Sequence, residues 1–408
     1  MSDLENLFQQ AQDALANEED DRARTLLSRM MDADAGHPRT IELQADMALN
    51  RQEFKKAGRC FQKLLEFPDA ETKGSGHYGL AIVKLSEDKF ESALGELDLA
   101  IQCLEAANAH EFLLTALSTA AHASVQISDY HTATAYLEQA MATLGKVDLE
   151  DSQTYAEADV HHRLGENYRL LGDYANAEFH FDEALARYDH LEEAAGLADV
   201  LDSMGIMLQT QARYEEADEL HLQAAKINED IENDQGLIGN FINLSVLNTH
   251  CGNYDRAAEF AGHYLELCEA IGNDNGIAHY HLMMGEIERR RGDLGRAEEL
   301  LLESQKLYRR CGDPSDKMCA ISELAIVYRL QGKNELAETN SLEALQIAEK
   351  LDHKYGIAHI LDDLAQVCIA QGRNNEARNF WTRSLTVFRE MENEKMIAEI
   401  QRNLATIR

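Results

Sequence analysis

Residues 169–188 read RLLGDYANAEFHFDEALARY, and residues 249–268, eighty positions later, read THCGNYDRAAEFAGHYLELC. Both stretches contain a glycine, an aromatic residue two positions later and an alanine three positions after that. The same alanine recurs every forty residues, at Ala177, Ala217, Ala257, Ala297, Ala337 and Ala377. A fixed period of this length is the signature of a repeat protein built from one supersecondary unit.

The internal pattern of each unit predicts a pair of antiparallel helices. A residue suited to a left-handed backbone ends the first helix, at Gly172, Ala212, Gly252, Gly292, Gly332 and Gly372. Twelve residues before each alanine stands another small residue, at Gly165, Gly205, Ser245, Gly285, Ala325 and Ala365. Small side chains at this position allow the two helices of a pair to approach closely.

The repeat spacing divides the chain into two parts. Equivalent alanines occur earlier at Ala23, Ala57, Ala93 and Ala133, with steps of 34, 36 and 40, followed by a step of 44 to Ala177. We therefore predict about four irregular units in residues 1–150, and about six regular units plus a capping helix in residues 151–408. Leu404 lies forty residues after Leu364 and marks the capping helix. The longer connection at residues 146–154 is a candidate hinge.

Composition and charge exclude several classes of function. The 408 residues include only three prolines, and 38 basic residues stand against 73 acidic ones, giving a net charge of −35. Such a charge opposes binding to nucleic acid or to an anionic membrane surface. It either keeps a large exposed surface soluble or attracts a basic partner.

The cysteines and the terminus suggest a reducing compartment. The seven cysteines are scattered and include no C-x-x-C pair, which favours buried thiols over a disulfide framework or a zinc site. The acidic beginning of the chain lacks the basic and apolar regions of a leader, and no apolar run is long enough to span a membrane. We expect a cytoplasmic protein.

The repeat unit resembles the tetratricopeptide repeat. Leu164, Gly165, Tyr168, Ala177, Phe181 and Ala184 match the family pattern in one unit, and Leu324, Ala325, Tyr328, Ala337 and Ala344 match it in another. The resemblance implies an all-α fold, an α-solenoid in which about ten helix-turn-helix units form a right-handed superhelix. The 40-residue period is similar to that of the Leu-Gly-Asn adaptors and kinesin light chains, and loosely to that of bacterial peptide-sensing regulators.

In this family the first helices line a concave groove that holds the partner. The resemblance implies that the following residues line it: His162, Arg163, Glu166, Arg169, Asp199, Asp202, Ile206, Gln209, Ile242, Asn243, Val246, His279, Leu282, Met283, Glu286, Arg289, Ser322, Ile326, Arg329, His359 and Asp362. Some family members grip a carboxylate with a groove lysine. No lysine stands at the matching positions Phe8, Glu42, Tyr78, Ser118, His162 and Asp202, so that activity is not expected.

Three groups of groove residues have two interpretations each. The apolar residues Ile206, Ile242, Val246, Leu282, Met283 and Ile326 form a binding stripe or pack against the neighbouring unit. Arg169, Arg289 and Arg329 hold a partner's carboxylates or pair with local acids. The histidines, including His279 and His359, do not have the i, i+4 spacing of a helical metal site and are interpreted as polar lining.

The sequence contains no recognisable catalytic or phosphate-binding motif. We therefore expect a non-enzymatic scaffold, without metal or cofactor, that binds a peptide segment or amphipathic helix of another protein. A regulatory peptide sensor and an assembly subunit remain the alternatives, and self-association remains open.

Overall fold

The computed structural model describes residues 3–17, 19–147, 151–312, 314–391 and 393–407. Within these ranges the secondary structure is entirely helical, as the repeat pattern predicts. The helices are α1 (Asp3–Ala16), α2 (Asp20–Asp34), α3 (Pro38–Asn50), α4 (Phe54–Leu64), α5 (Ala70–Leu85), α6 (Phe90–Ala107), α7 (His110–Gln126), α8 (Tyr130–Leu144), α9 (Asp151–Leu170), α10 (Tyr174–His190), α11 (Ala194–Thr210), α12 (Tyr214–Asp230), α13 (Asp234–His250), α14 (Tyr254–Ile271), α15 (Asp274–Arg291), α16 (Leu294–Cys311), α17 (Pro314–Leu330), α18 (Asn334–Lys350), α19 (Lys354–Ala370), α20 (Asn374–Glu390) and α21 (Glu394–Thr406).

Within the described ranges, successive helices form ten hairpins, in which each odd-numbered helix is the first helix and the following even-numbered helix is the second. The turn inside the hairpin has the predicted left-handed residue: Gly172 has φ +77° and Gly292 has φ +97°. The next residue then bonds back to the first helix, as in Asp173 N–H to the Tyr168 carbonyl at 2.9 Å. Ala212 takes the same conformation at φ +60°, although alanine tolerates it less well than glycine does.

Where the small residue of the first helix is glycine, it makes room for a larger side chain sixteen positions later. A Cβ atom added to Gly165 would lie 2.6 Å from the ring of Phe181, and one added to Gly285 would lie 2.6 Å from Leu301. Ser245 instead donates a hydrogen bond of 2.9 Å to the Ala257 carbonyl on the facing helix. The predicted close approach of the paired helices is therefore confirmed.

The chain consists of two compact units, Met1–Met204 and Gly205–Arg408, and the boundary falls within α11. In the first unit, a continuous core joins α6, α7, α8 and α9 through leucines such as Leu97, Leu117 and Leu137. The division into irregular and regular repeats at residue 150 concerns spacing and remains a prediction. Residues 148–150 of the candidate hinge lie outside the described residues.

In the second unit, the last hairpin is covered by α21, the predicted capping helix. Ile400 and Leu404 of α21 pack against Trp381 and Phe388 of α20. Among the described residues, no helix is both long enough and apolar enough to cross a membrane.

Candidate functional site

The candidate site is the surface formed by the first helices of the second unit, α13, α15, α17 and α19, together with the end of α11. We call this surface the first-helix face. Each of these four helices contacts the next one in the series. Side chains also connect them: the Arg289 Nε atom of α15 donates to Glu323 of α17 at 2.8 Å, and Gln209 lies 3.5 Å from His250 of α13. A partner on this face would therefore contact several repeats at once.

The predicted apolar stripe is partly exposed and partly core. Ile206, Val246 and Ile326 are half-buried on the first-helix face. Ile242 and Leu282 pack against core clusters, and Met283 is only 7% exposed. Met283 nevertheless borders a small cleft with Val246, Thr249 and Glu286. The packing interpretation therefore applies to Ile242, Leu282 and Met283. Ile206, Val246 and Ile326 remain candidates for the binding stripe.

The arginines pair with neighbouring acids, as one of the two interpretations expected. In the first unit, Arg169 donates to both carboxylate oxygens of Glu166, at 2.7 and 3.3 Å. In the second unit, Arg289 bonds Glu323, and Glu286 accepts from Arg290 at 2.8 Å. Arg329 is different, because its nearest acid, Asp363, is 3.7 Å away.

Two further acids of this cluster, Glu323 and Asp363, stand at the same repeat position as the predicted residues Arg163, Asn243 and Met283. Each lies 34 residues after its arginine, Arg289 or Arg329, which places it on the next first helix. Burial raises the pKa of Asp363 to about 7, and burial also raises the pKa of Glu323 although Arg289 opposes that shift. The recurrence of the same spacing in two repeats is the sequence signal that could have identified them.

Three predicted residues on α15 and α19 contact a second helix, Asp362 and His359 within their own hairpin and His279 in the preceding hairpin. Asp362 is buried and accepts hydrogen bonds from Trp381 Nε1 at 2.6 Å and from Gln366 at 3.0 Å. His279 Nδ1 lies 3.3 Å from the Tyr264 hydroxyl, and the ring of His359 packs on Phe388. Burial lowers the pKa of both histidines, so neither is positioned as an exposed cation for a partner.

The remaining second-unit residues, Asn243 and Ser322, are half-buried on α13 and α17. Throughout the described ranges, no group of three or more His, Cys, Asp or Glu side chains is arranged to hold a metal ion. The face therefore offers shape, apolar area and charge to a ligand.

The tetratricopeptide repeat family model matches residues 156–230 and 316–390. These segments contain the hairpins α9–α10, α11–α12, α17–α18 and α19–α20. The chain contains tetratricopeptide repeats.

Several solved structures share the helical repeat fold of this chain. RapI in its apo form is 11% identical, with 86% of this chain and 98% of that chain covered and a TM-score of 0.64. The apo quorum sensor NprR from B. thuringiensis is 14% identical, with coverages of 85% and 97% and a TM-score of 0.56. A Rap protein complexed with competence and sporulation factor is 18% identical, with coverages of 86% and 98% and a TM-score of 0.54. The comparison with curated protein sequences gives no match.

The predicted site residues of the first unit lie on α9 and α11. His162 Nε2 and Ser203 Oγ are 3.0 Å apart and connect these two first helices. Arg163 forms an ion pair with Asp159 at 2.8 Å. Asp199 is exposed and Asp202 is half-buried, so acidic side chains predominate on this part of the surface.

A histidine pair, with His161 buried and His180 half-buried, lies inside the first hairpin matched by the tetratricopeptide repeat model. The Nδ1 atoms of His161 and His180 are 2.9 Å apart, and the ring of Tyr168 stacks on His180 with centroids 5.4 Å apart. Burial, together with the positive charges of Arg187 and His180, lowers the pKa of His161 to about 4. A neutral His161 is therefore part of the folded hairpin.

Acidification should destabilise this hairpin. An unfolded histidine titrates near 6.5, so between pH 6.5 and 4 the unfolded state binds a proton that folded His161 does not. The contribution of His161 to the free energy of unfolding is fully present above that pH window and is lost as the pH falls through it. At pH 5 the loss is about 2 kcal/mol. Urea unfolding at pH 7.5 and pH 5 should show that His161→Gln removes this part of the pH dependence. His131→Gln, an exchange of an exposed histidine, is the control. Equal pH dependence in all three proteins would contradict the assignment.

Proposed function

We propose that this protein is a non-enzymatic scaffold that binds a peptide segment or amphipathic helix of another protein on the first-helix face. The observation that carries the proposal is the set of half-buried apolar side chains Ile206, Val246 and Ile326 on the first helices α11, α13 and α17, with charged residues around them and Glu286 at the same repeat position of α15. Apolar anchors with a polar rim suit an amphipathic ligand. The proposal needs neither a cofactor nor a metal, and it assumes a cytoplasmic setting.

Charge favours a partner segment that is basic overall. Residues 1–204 contain 16 basic and 39 acidic residues, a net charge of −23, whereas residues 205–408 contain 22 and 34, a net charge of −12. Both units would attract a basic segment and accelerate its association at low ionic strength.

A peptide sensor is the second candidate. Two proteins of similar fold are described as a quorum sensor and as a Rap protein in complex with competence and sporulation factor. In a sensor, the same face would bind a free peptide, and binding would shift the protein between two states. An assembly subunit or a self-associating protein would use other surfaces.

The proposal is tested by selecting binders from a displayed library of random 16-residue peptides on the intact chain. The affinity of the recovered peptides is then measured on the double variant Val246→Asn, Ile326→Gln. We expect a loss of about tenfold or more, because two apolar anchors become polar.

The matched control is Leu302→Gln, Leu342→Gln. These leucines are 45% and 46% exposed and lie on the second helices α16 and α18. Peptide affinity should be unchanged in this variant. Failure to recover any peptide, or an equal loss in both double variants, would contradict the proposal. Circular dichroism of each variant verifies that it is folded.

A further inference from the structure

Arg329 differs from the other two arginines of the predicted site. Arg169 and Arg289 each donate hydrogen bonds to a carboxylate, and only 16% of either side chain is exposed. Arg329 occupies the position one repeat after Arg289, and its side chain is 22% exposed. Its Nη2 atom is 3.7 Å from Asp363 Oδ1, which is too far for a hydrogen bond, and its buried Nε atom has no acceptor.

Such a guanidinium is prepared to bind an oxyanion. A guanidinium has five N–H donors in a planar fork, and a carboxylate can accept from two of them at the same time. Arg329 Nη2 makes no hydrogen bond to Asp363, so a ligand carboxylate at the exposed part of this side chain does not have to displace an existing bond, as it would at Arg289. Arg289, with its bond to Glu323, has less to gain.

Asp363 is a weak competitor for this role. Burial raises its pKa to about 7, and the negative charges of Asp362 and Glu323 raise it further against the opposing effect of Arg329. A carboxyl with this pKa is partly protonated at neutral pH, and the neutral form attracts the guanidinium less. The local acid therefore leaves Arg329 incompletely neutralised.

The surroundings of Arg329 define what accompanies the carboxylate. Ile326 lies three residues earlier on α17 and is half-buried, and Leu330 follows directly and is 49% exposed. Residues three apart on a helix share a face. A ligand group at Arg329 would therefore lie beside an apolar surface.

We infer that Arg329 is the anchor for a carboxylate of the bound peptide, either an acidic side chain or the C-terminus, next to an apolar residue that packs on Ile326 and Leu330. The inference rests on the proposed function and specifies the ligand chemistry of the same face. It gives Arg329 a role in specificity: a basic segment is attracted by the overall charge, and one carboxylate fixes its position.

The test uses synthetic versions of the peptides selected on the intact protein. Each is prepared with a free or an amidated C-terminus, and with every Asp or Glu replaced singly by Asn or Gln. Affinities are measured on the wild type, on Arg329→Gln and on Arg289→Gln, which is the matched control on the same face. We expect one carboxylate of the peptide to bind Arg329. Its neutralisation should weaken binding of the peptide to the wild type about 30-fold. The same change should have little effect on binding to Arg329→Gln. Arg289→Gln should retain the sensitivity.

Asp363→Asn should change the affinity for the peptide in the opposite direction to Arg329→Gln. Removal of the competing acid should tighten binding of the carboxylate peptide about threefold, whereas a purely structural role of the pair predicts no gain. In nuclear magnetic resonance spectra, the Nε–H signal of wild-type Arg329 should shift when the peptide binds, and this readout does not require a folded Arg329 variant.

Two results overturn the inference in different ways. In the first, peptides bind, but either no single carboxylate replacement lowers their affinity, or the replacement that does so has the same effect on Arg329→Gln as on the wild type. Arg329 is then not the anchor, while the proposed function stands. If no peptide binds the protein at all, the proposed function fails and the inference fails with it.

Discussion

Replacement of Gly165 by valine should lower the free energy of unfolding of the first unit by about 3 kcal/mol. The reason is the contact with Phe181, which is completely buried and whose ring would lie 2.6 Å from the new Cβ atom. A valine adds two further methyl groups at a point where the helices α9 and α10 are closest. Phe181 would have to leave its position, and the hairpin would open.

The matched control is Gly262→Val. Gly262 lies within α14, and a Cβ atom added there would meet nothing within 4 Å. Because glycine is unfavourable inside a helix, this exchange should change stability by no more than about 0.5 kcal/mol. Urea unfolding followed by circular dichroism measures both. Equal effects at Gly165 and Gly262 would show that the small residue of the repeat is not required for close helix packing.

Replacement of Trp381 by alanine should have a similarly large effect at the end of the second unit, about 4 kcal/mol. Trp381 is 4% exposed and packs against Phe388, Ile400 and Leu404. The exchange also removes the indole N–H that donates to the buried Asp362 at 2.6 Å. Asp362 would then keep a buried carboxyl with one fewer donor.

The loss should be local, because each hairpin of a repeat protein contacts mainly its neighbours. Hydrogen exchange should accelerate in α19, α20 and α21 of Trp381→Ala and stay unchanged in α13. Trp381→Phe, which keeps an aromatic ring but not the N–H group, should lose about 1–2 kcal/mol. Uniform acceleration throughout the second unit would contradict a local role.

The fold was predictable because the residues that specify it are repeated. Glycine or alanine at the turn and a small residue on the first helix recur with a constant period, and most regular units have a large residue sixteen positions after the small one. Each has a physical reason that acts within a single hairpin. Ala212 shows the tolerance of the pattern, since an alanine takes the left-handed backbone where most regular units have glycine.

The candidate site was less predictable, because the role of a side chain depends on the neighbouring hairpin. Asn243 and Met283 have the same position in the repeat, yet Met283 is buried in the core and Asn243 is half-buried. Asp362 was expected on the surface and instead accepts from Trp381. Arg289 and Arg329 are one repeat apart, but only the structure shows that one is bonded to its acid and the other is not.

The central claim is that a peptide lies across the first helices of successive repeats. The most direct measurement places a photo-crosslinking phenylalanine derivative in the tightest selected peptide and identifies the crosslinked residues by mass spectrometry. We predict crosslinks on α13, α15 and α17 around Val246 and Ile326. Crosslinks confined to the second helices, around Leu302 and Leu342, would contradict the claim.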